Sequence, residues 1–329
     1  MKILLTGAAG GIGSTLGYYL FKKGHNLTLV DNFRNGYAEN LLISEKEFGD
    51  FYNQDICDPQ LADNLLDHYD CIIHLAAITA LPDCESNVSD TININVAGTA
   101  NIMECARKWN VPHVIFASTS AIYENNKEQI FTENLEVNPC LWYSLSKKMA
   151  EEVCESYRIN YGMNITTLRF FNVFGPRQDI HRKNPPLLNY LVREIKQGKQ
   201  PVLHSTGEQA RDYIHVDDVV KLIDICLEKK PNDTFNVCTG SILSVNQIVK
   251  YVSEIFNSSI KPIYREASKL WDMYPDLFSG DYPLDKEIVA KETNKYSKGS
   301  YQKAKELLGW EPNTDLESLI KKVSTEINL

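Results

Sequence analysis

The chain has 329 residues, 43% of them hydrophobic, with 17 glycines, enough apolar material for one large domain or two joined ones and too much for a disordered chain. Its net charge of −9 leaves no basic surface to track a phosphate backbone, so no nucleic acid partner is expected. Eight cysteines lie scattered without Cys-x-x-Cys pairs or zinc spacing, and no stretch reaches the ~18 apolar residues of a membrane span.

Met1-Lys-Ile-Leu-Leu-Thr-Gly enters a strand before any signal-peptide core can form. A cytoplasmic chain with reduced thiols, no metal and no membrane contact is therefore expected. The first strand, Lys2 to Thr6, runs into Gly7-x-x-Gly10-x-x-Gly13 and a helix from about Ile12 to Lys23. Such a turn lets backbone amides and a helix N-terminus approach a pyrophosphate without Cβ obstruction, although a lone glycine motif is weak evidence. Asp31 strengthens it, because a carboxylate ending the second strand (Asn26 to Asp31) can accept hydrogen bonds from a ribose 2′-hydroxyl and repel a 2′-phosphate. That favours NAD over NADP, with Arg34 close enough to count against it.

Further apolar runs at 50–54, 71–75, 113–118 and 164–170 alternate with helical stretches near 59–68, 87–110 and 143–161. This is the βαβα pattern of a parallel sheet covered on both faces, with its ligand edge at the strand C-termini. Thr119 follows the fifth strand, where its hydroxyl can hydrogen-bond a substrate oxygen or merely cap a turn. Tyr143 stands one helical turn from Lys147, so that an ammonium can hold a phenol part-ionised; the pair also occurs by chance on amphipathic helices.

After residue 172 prolines break the regularity before a helix at 216–229 and a late strand at 234–238 that can return to the sheet. One helix, a Pro- and Tyr-rich stretch at 261–298 and two terminal helices follow. The expected architecture is a Rossmann-type doubly wound parallel sheet (1–172 with 213–246) carrying a smaller interleaved α/β substrate domain (173–212 with 247–329).

Taken together the chain resembles the extended short-chain dehydrogenase/reductase family, in its nucleotide-sugar epimerase and dehydratase branch. The motifs that carry the resemblance are the glycine turn, Asp31-Asn-Phe33, Asp55-Ile-x-Asp58, His74-Leu-Ala-Ala77, Asn95-Val-x-Gly-Thr99 and Tyr143-x-x-x-Lys147. Leu168-Arg-Phe-Phe-Asn-Val-Phe-Gly-Pro-Arg-Gln178, Arg211-Asp-Tyr-Ile-His-Val-Asp-Asp218 and Lys303-Ala-x-x-Leu-Leu-Gly-Trp310 complete them. They extend over nearly the whole chain.

The resemblance implies that Gly7, Gly10, Gly11, Ile12, Gly13, Asp31, Asn32, Asn35 and Gly36 contact NAD, with Asp55 and Ile56 near the adenine. It places Leu75, Ala76, Ala77, Asn95 and Phe170 along the dinucleotide, and Tyr143 and Lys147 on the nicotinamide ribose. Thr79, Ser118, Thr119, Ser120, Tyr143, Asn172, Arg177, Asn184, Arg211 and Tyr213 would face the nucleotide sugar. It also implies a homodimer through the helices at 87–110 and 143–161.

The implied chemistry is inversion of C4 of a UDP-hexose or UDP-N-acetylhexosamine through a transient 4-keto sugar. Tyr143, with its pKa lowered by Lys147 and the positive nicotinamide, would be the base, and Thr119 would orient the C4 oxygen. Dehydratases of the branch carry Asp-Glu after the threonine, and decarboxylases a glutamate two residues after it; here Ser120-Ala121 offers neither. Asp179, where uronate epimerases place an arginine, tilts the reading toward a neutral or N-acetylated sugar, with Arg182 and Lys183 nearby to oppose it. The segment 272–298 departs from the family pattern, leaving Lys291 and Lys295 as candidates for a second phosphate contact. The alternatives are another member of the branch (uronate 4-epimerase, 2-epimerase or ketosugar reductase) and a non-catalytic NAD-sensing protein.

Overall fold

The computed structural model describes all residues except 44, 45, 66, 328 and 329. Seven parallel strands form the central sheet: β1 (Lys2–Thr6), β2 (Asn26–Asp31), β3 (Asp50–Asn53), β4 (Cys71–His74), β5 (Val114–Thr119), β6 (Ile165–Phe170) and β7 (Thr234–Val237). Their order is β7-β6-β5-β4-β1-β2-β3. The direction of winding therefore reverses between β1 and β4, which opens a crevice at their C-terminal ends. The seventh strand pairs with β6, Phe235 opposite Leu168, as the late apolar run at 234–238 suggests.

The strands read as continuous apolar runs because helices cover both faces. Ile3 and Leu5 of β1 pack into one apolar cluster with helices Gly11–Lys22 and Val216–Lys229, while Leu4 between them packs into the other. That second cluster takes residues from the helices Thr99–Lys108 and Trp142–Tyr161. Among the described residues no helix is long and apolar enough to cross a membrane.

Two helical expectations change. The stretch at 59–68 keeps helix only over Leu61–Asn64; Asp63 and Asn64 favour turns over helix interiors, and Leu66 lies outside the described residues. The stretch at 87–110 is three pieces, Val88–Ile92, a π-helical turn Asn93–Gly98, and Thr99–Lys108. A Cβ on Gly98 would come within 2.6 Å of Ile56, so the middle piece presses against the segment after β3.

The smaller layer is built around strand Ala210–His215, which pairs in parallel with Asn172–Phe174 and antiparallel with Ile242–Ser244. Helices Leu187–Lys196, Val245–Ile255 and Leu316–Glu326 share an apolar cluster beside it. The sequence-drawn boundaries at 212/213 and 246/247 fall inside this strand and inside Val245–Ile255, because hydrogen-bonded pairing there continues across the junctions. Asp212, fully buried, ties three distant segments: its carboxylate accepts the Thr239 amide and hydroxyl (2.8 Å each) and the amides of Gly240 (2.9 Å) and Gly299 (3.1 Å).

Helix Gln302–Leu308 then returns to the sheet, and Trp310 packs in the same core as β1 with its indole N–H donating to the Asp218 carbonyl at 3.2 Å. Trp310→Ala is expected to cost about 3–5 kcal/mol, read as a lower midpoint in urea unfolding.

Candidate active site

The crevice at the β1/β4 reversal is the floor of a cleft of about 530 Å³. Gly7 leaves β1 with φ +71°, and a Cβ there would sit 2.8 Å from the Ala76 nitrogen. A Cβ on Gly13 would lie 2.0 Å from the Gly7 carbonyl oxygen. Only glycine allows the helix Gly11–Lys22 to press so closely on the loop after β1. Gly10, its N-cap, brings no capping side chain, so the first amides of this helix face the cleft as donors for a phosphate. The cradle fits a dinucleotide.

Asp31 is held at the end of β2 by the amides of Ala9 (2.9 Å) and Phe33 (2.8 Å). Burial pushes its carboxyl pKa up, and those amide bonds pull against the rise. Asn32 donates to Asp55 at 3.0 Å, joining the two residues expected along the adenosine. Arg34 pairs with Asp90 at the rim of the cleft.

Thr119 ends β5 and its Oγ1 accepts the Ala121 amide at 3.1 Å, opening the turn Ser120–Tyr123. Tyr143 and Lys147 occupy the first two turns of Trp142–Tyr161 and line the cleft with Thr119. The start of this helix is capped by carboxylates from elsewhere. Glu124 accepts the amides of Cys140 and Leu141 and the Ser144 hydroxyl, and Glu85 accepts the Trp142 amide at 2.6 Å. Burial, with the Glu124 charge, raises Glu85 to about 7.

A buried polar chain supports the same helix from behind. His74, kept neutral by burial with a pKa lowered to about 3, bonds to Thr6 (2.7 Å) and Thr99 (3.1 Å). Thr99 donates to the Asn95 carbonyl, the Asn95 amide bonds to Ser146, and the Ser146 hydroxyl donates to the Tyr143 carbonyl.

Lys147 is 4% exposed, with its ammonium 4.3 Å from the Phe116 ring centroid; burial lowers its pKa to about 8. Burial also pushes the Tyr143 phenol up to about 12, and the groups that pull it down are the Thr119 hydroxyl and Arg182. The Lys147 ammonium lies on the face of Phe116, and the expected lowering of the phenol by Lys147 together with the nicotinamide charge stays an expectation.

The expected site residues line this one cleft with three exceptions. Asn95 is fully buried and clamps Ile78, accepting its amide (2.8 Å) and donating to its carbonyl (3.0 Å). Arg177 donates to the Asn40 carbonyl at 3.2 Å and lays its own carbonyl against Gly11. Asn184 also lies outside the lining. Ser118 lines the cleft but its hydroxyl donates a hydrogen bond to Glu151, which holds Arg169 through two bonds of 2.8 and 3.0 Å.

At the other end of the cleft Arg211 donates to the carbonyls of Glu292 and Lys295, and Glu292 pairs with both Arg211 and Lys295 at 3.4 Å. Lys295 lines the cleft and Lys291 does not. Arg182, Glu292 and Ser297 also line it. Arg182 sits in a loop, Glu292 near the end of helix Lys286–Thr293 and Ser297 in a bridge to Arg211; none carries a motif, so the sequence signal for them is the spacing of Arg182 after Gln178 and the departure of 272–298 from the family pattern.

A family model described as the NAD dependent epimerase/dehydratase family matches residues 3–238. A putative UDP-glucose 4-epimerase of Methanocaldococcus jannaschii is 30% identical over 326 residues, covering 98% of this chain and 96% of that protein. A UDP-glucuronate 4-epimerase of Thermodesulfobacterium geofontis is 28% identical, covering 97% and 94%. The crystal structure of Thermotoga maritima UDP-glucose 4-epimerase with UDP-glucose superposes with a TM-score of 0.87 at 31% identity, covering 99% and 98%. With the glycine cradle, the Thr119, Tyr143 and Lys147 set and these matches in hand, the chain belongs to the NAD-dependent epimerase/dehydratase family.

Proposed function

We propose that this chain is a nucleotide-sugar 4-epimerase, inverting C4 of a UDP-sugar through a transient 4-keto form. The observation that carries the reading is the company Thr119 keeps. Tyr143 and Lys147 share its cleft, while the next two positions are Ser120 and Ala121. The first acid after them, Glu124, is buried on the N-terminus of the Tyr143 helix, where it cannot reach a substrate carbon. Elimination of water needs an acid and a base beside C5 and C6, and those two positions supply none. The relatives named for 4-epimerisation act on sugars that differ at C6, so the chemistry they share is at C4.

In this reading Gly7, Gly10, Gly13 and Asp31 hold NAD, which supplies the acceptor and later the donor of the C4 hydride. Tyr143 takes the proton of the C4 hydroxyl and, once the ketone has turned over, returns it to the C4 oxygen as the carbon is reduced on its other face. Thr119 orients that oxygen, and Lys147 binds the ribose beside the phenol. Arg211 and Tyr213, with Lys295, hold the diphosphate end, where a guanidinium suits phosphate oxygens. A phenol raised by burial needs a positive charge close by to work as a base near neutral pH, which makes cofactor binding a precondition for proton transfer.

Tyr143→Phe is expected to lower turnover by roughly 10²–10⁴-fold while leaving bound NAD in place, and wild-type turnover is expected without build-up of reduced cofactor. Stoichiometric accumulation of NADH during the reaction would overturn the epimerase reading.

Lys147 carries a stability cost that can be measured separately. Its folded pKa lies below the value of 10.5 for an unburied lysine, so near pH 7 the unfolded chain holds this charge more comfortably than the folded one. Lys147→Met should abolish turnover yet stabilise the protein by about 2–3 kcal/mol at pH 7. The advantage should shrink as pH rises from about 8 to 10.5, where both states lose the proton. Urea unfolding of both proteins across that window reads it directly.

A further inference from the structure

We propose that Arg182 binds a carboxylate on the substrate's sugar ring, which makes a hexuronate the sugar this cleft accepts. The proposal rests on the nucleotide-sugar reading above and names the substrate class within it. Apart from Arg34 and Lys147, the cleft has two cationic stations. Arg211 and Lys295 stand together beside Tyr213 and share Glu292, which suits the diphosphate. Arg182 stands apart, near enough to Tyr143 for its charge to act on the phenol.

The surroundings of Arg182 leave its guanidinium unanswered. Its Nε is buried without a hydrogen-bond partner, and among the described residues no carboxylate forms an ion pair with it. The acids nearest in effect are Asp179 and Asp83, and both are already engaged. Asp179 accepts the Tyr37 hydroxyl (2.6 Å) and the amides of His181 (2.8 Å) and Arg182 itself (3.1 Å), and Asp83 accepts the Tyr274 hydroxyl (2.8 Å). Asp179 therefore serves as the turn's internal acceptor through its Oδ1, and Arg182 is the opposing charge beside it in the cleft.

A half-buried guanidinium facing a cleft needs acceptors, since dehydrating it without partners is costly. The hydroxyls of a neutral hexose offer single uncharged contacts. A carboxylate offers two oxygens in the plane of the guanidinium fork and cancels its charge. Retaining that charge on Arg182 also opposes decarboxylation at the 4-keto stage. Cleavage of the C5–C6 bond would move the electron pair from the carboxylate to C5 and the C4 oxygen as carbon dioxide leaves.

The test is binding to the NAD-loaded protein, measured by calorimetry with UDP-glucuronate and UDP-galacturonate against UDP-glucose and UDP-galactose. Wild type should bind the acidic pair at least about tenfold more tightly, the range of one charge-assisted hydrogen bond or more. Arg182→Gln should bring the ratio to about one, and Arg182→Lys, which keeps the charge but not the fork, should fall between. Equal or tighter wild-type binding of the neutral pair, or an unchanged ratio in Arg182→Gln, would overturn the proposal. Should the glutamine variant fail to fold in a thermal melt, the wild-type ratio and the lysine variant decide. Turnover is scored separately: C4 inversion of neutral sugars alone would sink the carboxylate assignment and keep the epimerase reading, whereas selective uronate binding without inversion would do the reverse.

Discussion

The cleft depends on one steric constraint, the contact of bare backbone at the point where the sheet reverses its winding. Gly7 lies against Ala76 and Gly13 lies against Gly7, so β1, β4 and the first helix meet with no side chain between them. A methyl group at either glycine would push the helix off the loop and close the surface where amides face the cleft. The sheet order follows from the same reversal, and it brings Leu75 and Thr119, from strands far apart in sequence, to one edge.

Upon that rigid floor the helix that carries Tyr143 and Lys147 is held by polar groups behind the cleft. Glu124 and Glu85 fix its first turn from the solvent-poor side, and the chain from His74 through Thr99, Asn95 and Ser146 reaches the carbonyl of Tyr143 itself. These groups are buried and bonded at nearly every position, which is the condition under which buried polarity specifies a geometry. The lysine beside the phenol is the exception in energetic terms: it is held dehydrated over an aromatic ring, a cost that a purely structural side chain would not impose.

How much of this is readable from the chain alone depends on distance in sequence. Strands β1, β2 and β6 are visible because they are long apolar runs closed by glycine, aspartate or asparagine, and Tyr143 with Lys147 is visible because both lie on one helix. Asn95 shows the limit. Its motif is plain, yet only the π-helical turn reveals that it faces the protein interior. Arg177 has an equally clear motif and serves the loop around Gly11 and Asn40. The end of the cleft away from the glycine turn is the least legible part, since Arg182 and Lys295 stand in irregular segments and Glu292 near the end of a short helix, and their meeting is set by tertiary packing with no period to betray it.

The knot at Asp212 bears on how the chain is made. Its carboxylate is complete only when Thr239, Gly240 and Gly299 have all arrived, and burial otherwise leaves a charged group short of donors. During synthesis the first six strands of the central sheet are made by residue 170, whereas the end of the cleft at Asp212 waits for the last tenth of the polypeptide. A nascent chain can thus present its glycine cradle well before it can close the far wall of the cleft, and the order of translation becomes the order in which the two ends of the cleft mature.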